Sequence, residues 1–262
     1  MPAGVLNRAG VVADRLLPSV TLVAVTSVAL PATVRALEES RRSIGFGQVL
    51  WLSDRPMPSG SPAGITWRQI PRIASRQAYS RFMLFDLAEH ITTSHVLSVQ
   101  WDGYVLNPAR WSDTFLDYDY IGAPWPQFQD AHRVGNGGFS LRSARLLRAC
   151  RDLPRNCAEA EDIAICRTHR AMLEATHGLR FAPEPVASRF AYERIPATGD
   201  EFGFHGVFNL ARIMPRKPFD ALVRTLEPSI MSVRERRELF RWACRNGRIG
   251  LAAEMARRGL RK

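Results

Sequence analysis

Five short segments hold the residue types that do chemistry: QWDG (100–103), DYDYIGAPW (117–125), GNGGFSLRS (135–143), EDIAIC (161–166) and FGFHG (202–206). Asp102 ends an apolar run, where a carboxylate either forms a turn or holds a divalent cation against a ligand's phosphates. Gly135-Asn136-Gly137-Gly138 permits positive φ and close approach of backbone to a substrate, or is a plain loop before a helix over Ser143–Cys150. Arg142 could reach a phosphate, and Trp125 offers either an apolar face for a sugar or a core side chain. Glu161-Asp162 reads also as a helix start favoured by the helix dipole. His205 alone reads as a structural histidine as well as a ligand.

The elements that must position these residues follow from hydrophobic pattern. Val20–Ser27 (VTLVAVTS) is a β-branched run of the kind buried on both faces of a parallel sheet. Pro31 suits the first turn of a helix over Ala32–Ile44, which the Gly45-Phe46-Gly47 breaker stops. Gln48–Ser53 is the next strand and implies a right-handed crossover. RPMPSGSPAG is a surface loop, a second helix spans Ser75–Ile91, and His95–Val99 is the strand that leads to Asp102. Phe139, Ser140 and Leu141 read as a short buried strand. In open α/β sheets ligands bind beyond the carboxyl ends of the strands, where Thr26, Ser27, Asp54 and Asp102 fall.

The 262 residues suffice for one large α/β domain, 1–215, with a basic helical tail, 216–262. A content of 46% apolar and 23% charged residues is that of a globular chain. The formal charge of +11 is almost all arginine, since only Lys217 and Lys262 are lysines. That skew reads as codon bias spread over the surface, or as attraction to phosphate, anionic lipid or acidic glycan. In the tail, RRELFRWACRNGRIGLAAEMARRGL reads as two amphipathic helices broken near Asn246-Gly247, packing on the domain or lying on an anionic surface. Cys150, Cys157, Cys166 and Cys244 lack zinc-site spacing and read as buried thiols in a reducing compartment. Arg8 and Arg15 before LLPSVTLVAVTSVALPA mimic a signal sequence, but Pro18 and Pro31 and the short run favour a buried first strand. Neither G-x-G-x-x-G nor G-x-x-x-x-G-K follows that strand, which argues against a dinucleotide enzyme or a P-loop NTPase.

The order QWDGYVL, DYDYIGAPW, GNGGFSLRS, an acidic pair and a late HG resembles an uncharacterised family of bacterial and fungal glycosyltransferase-like domains, over about Val20–Asn209. That family is similar to nucleotide-sugar transferases of the A-type, Rossmann-like fold. The resemblance implies a mixed, mostly parallel central sheet flanked by helices. It also implies transfer of a sugar from a nucleotide donor, a UDP-sugar, to a hydroxyl of a glycan or lipid-linked acceptor, as in polysaccharide biosynthesis. By the same resemblance Asp102 is the metal ligand of a one-sided D-x-D motif, with Gln100 in the place of the first carboxylate. His205 would complete the shell of Mn²⁺ or Mg²⁺. Asp162 is the base that takes the acceptor proton and Glu161 orients the acceptor, with inversion as the outcome. Arg81 resembles an arginine placed near donor phosphates, and also reads as a solvated helix arginine. Thr26, Ser27 and Asp54 would face the nucleoside. The expected setting is cytoplasmic, peripheral to the inner membrane if the tail binds lipid, with no nucleic-acid partner. Two rivals remain: a nucleotide- or sugar-binding module with reduced catalysis, and a metal-dependent nucleotidyltransferase or phosphohydrolase.

Overall fold

The apolar run at the start of the described chain forms β1, Arg15–Val25, and its alternation decides how the sheet is covered. Leu22 and Ala24 point to one face, where they pack with Val34 and Leu37 of α1 (Leu30–Arg41) and with Trp51. Val23 and Val25 point to the other, against Phe82 and Met83 of α2 (Arg76–Phe85). β2 (Ile44–Ser53) divides the same way, with Trp51 on the first face and Leu50 and Leu52 on the second. Strands buried on both faces read as continuous apolar runs, which is why these two were visible in the sequence. The computed structural model describes residues 15–227 and 230–260, so Arg8 lies outside the described residues.

The remaining strands are β3 (Thr66–Gln69), β4 (His95–Val99), β5 (Tyr104–Val105), β6 (Tyr120–Ile121), β7 (Phe139–Ser143), β8 (Ala191–Tyr192) and β9 (Gly203–Phe204). The helices that follow are α3 (Ala144–Ala149), α4 (Glu161–Ile163), α5 (Arg170–His177), α6 (Glu184–Phe190), α7 (Val207–Ile213), α8 (Arg216–Thr225), α9 (Val233–Arg245) and α10 (Ile249–Leu260). A six-stranded sheet runs β3-β2-β1-β4-β7-β6, and a three-stranded sheet runs β5-β9-β8. The large sheet is mixed, not mostly parallel as expected. Its β3-β2-β1-β4 ladders are parallel, but β7 enters from the opposite end and pairs antiparallel with both β4 and β6. The small sheet is mixed as well.

Local expectations also shift. Gly45-Phe46-Gly47 does not end a helix; it lies inside β2, and α1 has already closed at Arg41. Gly47 serves the strand pairing, since a Cβ there would stand 2.1 Å from the Pro18 carbonyl oxygen, beside a register irregularity between Leu17 and Thr21. The second helix starts where expected, capped by Ser75, whose hydroxyl accepts from the Ala78 amide, but ends at Phe85 before a 3₁₀ turn over Leu87–His90.

The chain divides into two compact units between His205 and Gly206, where composition suggested 215/216. The second unit holds α7 to α10, and α9 and α10 meet at Asn246-Gly247, where Gly247 takes a φ of 63°. All four cysteines are free; Cys150 and Cys166 are buried, while Cys157 is half-buried and Cys244, expected inside, is exposed. Among the described residues no helix is long and apolar enough to cross a membrane.

Candidate active site

Strand register collects the chemically loaded segments at one end of the sheets. Val99 pairs with Phe139, so the QWDG turn leaves β4 where the GNGG loop enters β7. Tyr104 pairs with Phe204 and Tyr192 with Phe204, so Asp102, Glu193 and His205 all lie just beyond the same end of the small sheet. Gly103 lets the turn press close, since a Cβ there would be 2.7 Å from the Phe204 carbonyl oxygen.

His205 sits between two carboxylates. Its Nε2 is 3.3 Å from Asp102 Oδ1 and its Nδ1 is 3.5 Å from Glu193 Oε1. Burial pulls the imidazole's pKa down, but Asp102 and Glu193 outweigh it and hold the value well above the ordinary range. Glu193 moves the opposite way: burial raises its carboxyl, and His205, Arg194 and Asn136 bring it below the usual value. Asn136 donates to Glu193 Oε2 at 2.9 Å.

The GNGG loop touches both His205 and Glu193. Its positive φ falls on Asn136, at 73°, and not on its glycines. Asparagine tolerates that region, and its Oδ1 accepts from the Gly138 amide at 2.9 Å. The glycines instead allow close approach. A Cβ on Gly138 would stand 2.0 Å from His205 Nε2, and one on Gly137 would stand 2.0 Å from Glu161 Oε1. The Gly137 amide donates to Asp162 Oδ2 at 3.0 Å. Asp162 also accepts from the Ile163 amide at 2.9 Å and is only half-buried. Burial, then the charge of Glu161, push its pKa up to about 6 against the pull of these two amides and Arg142. A carboxylate poised there is ionised at neutral pH yet basic enough to take a proton in a reaction.

Beneath the loop, Glu161 and Arg142 form a buried pair. Arg142 is 0% exposed; its Nη2 donates to Glu161 Oε1 at 2.9 Å and its Nε to Ser140 Oγ at 3.0 Å. The Glu161 amide donates to Ser80 Oγ at 3.2 Å. Tyr79 lies beside the pair and Gln100; burial, then Glu161, push its hydroxyl up to about 12.

The structure thus brings together Asp102, Asn136, Gly137, Gly138, Arg142, Glu161, Asp162 and His205, with Gln100 adjoining through Tyr79. Gly135 adjoins as part of the loop and is pressed on Trp125, whose ring a Cβ would meet at 2.0 Å. Trp125 itself is 4% exposed and packs edge-on to Phe128 in the core, so it presents no open stacking face. Arg142 and Glu161 are committed to each other. Arg81 is exposed and donates to the Arg155 carbonyl at 3.2 Å. Thr26, Ser27 and Asp54 follow the carboxyl ends of β1, which pairs with β4, and of β2, which pairs with β1. Within that loop Thr26 Oγ1 donates to the Val28 carbonyl at 2.6 Å and Ser27 Oγ accepts from the Ile73 amide at 2.8 Å. Asp54 Oδ2 lies 3.8 Å from Arg55 Nε.

Sequence reasoning missed Glu193, Tyr79 and Ser80. The Tyr79-Ser80 pair stood next to Arg81 in the same helix, but nothing in AYERIP sets Glu193 apart from a solvated carboxylate. Asp102 and His205 are the residues that could hold a cation, the Asp102 Oδ1 being sealed from solvent and facing the His205 Nε2 at 3.3 Å. Among the described residues no three or more His, Cys, Asp or Glu side chains are arranged to hold one metal ion, Glu193 lying on the far nitrogen of His205, so further ligands would have to come from substrate and water.

Residues 65–205, more than half of the chain, match the profile of a family described as a protein of unknown function, DUF5672. The chain belongs to the DUF5672 family. Its family segment ends at His205 and spans every residue of the cluster above. No curated protein sequence matches this DUF5672 chain. Among solved structures, a glycosyltransferase involved in glycosylating the major capsid of PBCV-1 aligns over 80% of this chain and 100% of its own, with 13% identity and a TM-score of 0.47. TarS of S. aureus aligns over 78% of this chain and 42% of its own, with 10% identity and a TM-score of 0.41. A197 from STIV aligns over 64% and 79%, with 14% identity and a TM-score of 0.33.

Proposed function

We propose that this DUF5672 protein is a glycosyltransferase that moves a sugar from a nucleotide donor, a UDP-sugar, to a hydroxyl of a glycan or lipid-linked acceptor. The observation that carries the reading is Asp162: a half-buried carboxylate with a pKa of about 6, held on the Gly137 amide, in the loop that also contacts His205 beside Asp102. Asp162 is thus the group suited to receive a proton, and the reading assigns Asp102 and His205 to the side of the leaving diphosphate.

In the proposed reaction Asp162 takes the acceptor hydroxyl proton as that oxygen attacks the anomeric carbon from the side opposite the diphosphate. The new glycosidic bond forms as the bond from carbon to the diphosphate oxygen breaks, which inverts the configuration. Asp102 and His205 would hold Mn²⁺ or Mg²⁺, which supplies positive charge to the departing diphosphate. Binding a cation through Nε2 requires that nitrogen to lose its proton. Glu193 and Asn136 orient the imidazole from its other side. The Arg142–Glu161 pair keeps the Gly137 backbone in place under Asp162. Thr26, Ser27 and Asp54 lie on the side of the sheet where the nucleoside of the donor would be received. The four free thiols support a cytoplasmic setting.

The test is a screen of nucleotide-sugars for donor hydrolysis and for transfer to sugar acceptors, with and without Mn²⁺. Release of UDP from one sugar class, enhanced by an acceptor, is the expected result. Binding of UDP without turnover of any donor would instead indicate a binding module, and release of nucleoside monophosphate would indicate phosphohydrolase or nucleotidyl chemistry.

A further inference from the structure

The second unit carries most of the net charge of the whole protein. Residues 206–262 hold fourteen arginines and lysines against five carboxylates, a net +9 of the chain's +11. Four of those carboxylates are engaged with other residues. Asp220 pairs with Arg248, Glu238 with Arg234, and Glu254 with Arg257 and Arg258, while Glu235 closes the capping box at Ser232. Arg237, Arg241 and Arg245 are left exposed, with no ion pair among the described residues. Steps of four residues place them along one face of α9.

Beside this basic stripe runs an apolar one. Val233, Phe240 and Cys244 recur at helical spacing on the same exposed side, with Val233 at 53% and Phe240 at 39% exposure. The inner face of α9, Leu239 and Ala243, is buried within the protein. An arginine row alone would suit any polyanion. An apolar row parallel to it suits an interface in which phosphates lie at one depth and hydrocarbon just below, because arginine stems can follow the apolar row while their heads remain with the phosphates.

We propose that α9 lays this face on an anionic phospholipid surface, with Arg237, Arg241 and Arg245 on the headgroup phosphates and Phe240 and Val233 at the acyl boundary. This surface shares no residue with the candidate active site and does not depend on the transferase reading.

The test uses the full chain with vesicles of phosphatidylcholine containing about 30% phosphatidylglycerol, against pure phosphatidylcholine, at about 0.1 M salt. Sedimentation should show binding to the anionic vesicles alone. Each basic side chain contributes about fivefold, so the triple change Arg237→Gln, Arg241→Gln and Arg245→Gln should weaken binding about 100-fold. Phe240→Ser should weaken it several-fold at any salt concentration. Independently, a polarity-sensitive dye on Cys244, in a Cys157→Ser background, should shift to the blue when anionic vesicles are added. Equal binding to neutral vesicles, a folded triple variant that binds like wild type, or a dye that does not shift would each overturn the proposal. So would tighter binding to a single-stranded oligonucleotide than to the vesicles, with Phe240→Ser neutral in both assays. If the triple variant does not fold, the dye on the otherwise intact chain decides between the two outcomes.

Discussion

Replacing Asp162 with asparagine should make the protein inactive and more stable at once. In the unfolded chain this carboxyl ionises near 3.8, whereas in the fold burial and Glu161 lift it to about 6. At about 1.4 kcal/mol for each pH unit, the ionised form in the folded protein carries a penalty of up to about 3 kcal/mol. The raised value means that the folded state binds more protons than the unfolded state between about pH 4 and pH 6, so wild-type stability falls as pH rises through that window. Asparagine copies the protonated acid, with one oxygen to accept from an amide and no charge. The variant should therefore gain up to about 3 kcal/mol at pH 8, roughly 6–12 °C in melting temperature, and the gain should vanish near pH 4. Transfer should fall by about 10²–10⁴-fold, the contribution of a positioned base. Thermal melts of both proteins across about pH 4–8, run beside transfer assays, check the two halves together. A variant that is no more stable at pH 8, or a gap that does not change with pH, would refute the account of Asp162.

Wild-type transfer should rise with pH through about 6 as Asp162 ionises, and the rise should be absent from whatever activity Asp162→Asn retains, as a pH–rate profile would show. Asp102→Asn should lose Mn²⁺-dependent UDP binding and depress transfer and donor hydrolysis together, measured by titration calorimetry and rates; His205→Ala should do the same more mildly, since the Asp102 carboxylate remains to hold the cation. Gly138→Ala must displace the His205 ring, because its Cβ would fall 2.0 Å from Nε2; a loss of about 1–3 kcal/mol in denaturant melts and loss of activity should follow. Arg142→Met should cost about 3–5 kcal/mol by leaving Glu161 buried without its partner, and adding Glu161→Gln should recover much of that, as chemical denaturation would record.

The parts of the fold that could be read from the sequence are those whose burial leaves a long pattern. The stretches from Val20 in the first strand and from Val49 in the second are covered by helices on both faces, so their apolar runs stand out. Strands of two residues have no period to detect, so β5, β8 and β9 were not foreseen, and with them went the reason why Glu193 belongs to the site. Arg142 looked available for a phosphate because a buried charge is only intelligible once its partner, nineteen positions on, is known to lie against it. Trp125 presented equal grounds for core and surface; the Gly135 backbone against its ring decides for the core. The glycines of GNGG serve close contact with neighbouring side chains rather than unusual torsion, a distinction that composition does not carry.

The small sheet also constrains assembly in time. Its order is β5-β9-β8, so the last strand to be made occupies the middle and the two older strands have no ladder with each other. Strands this short are not stable as a pair, and β9 must close a loop of about a hundred residues to reach β5. A chain still being synthesised therefore holds Asp102 and Glu193 without the element that aligns them. The cluster is complete only when Gly203-Phe204 slots in and carries His205 with it, so an unfinished chain lacks both the imidazole and the alignment of the carboxylates around it.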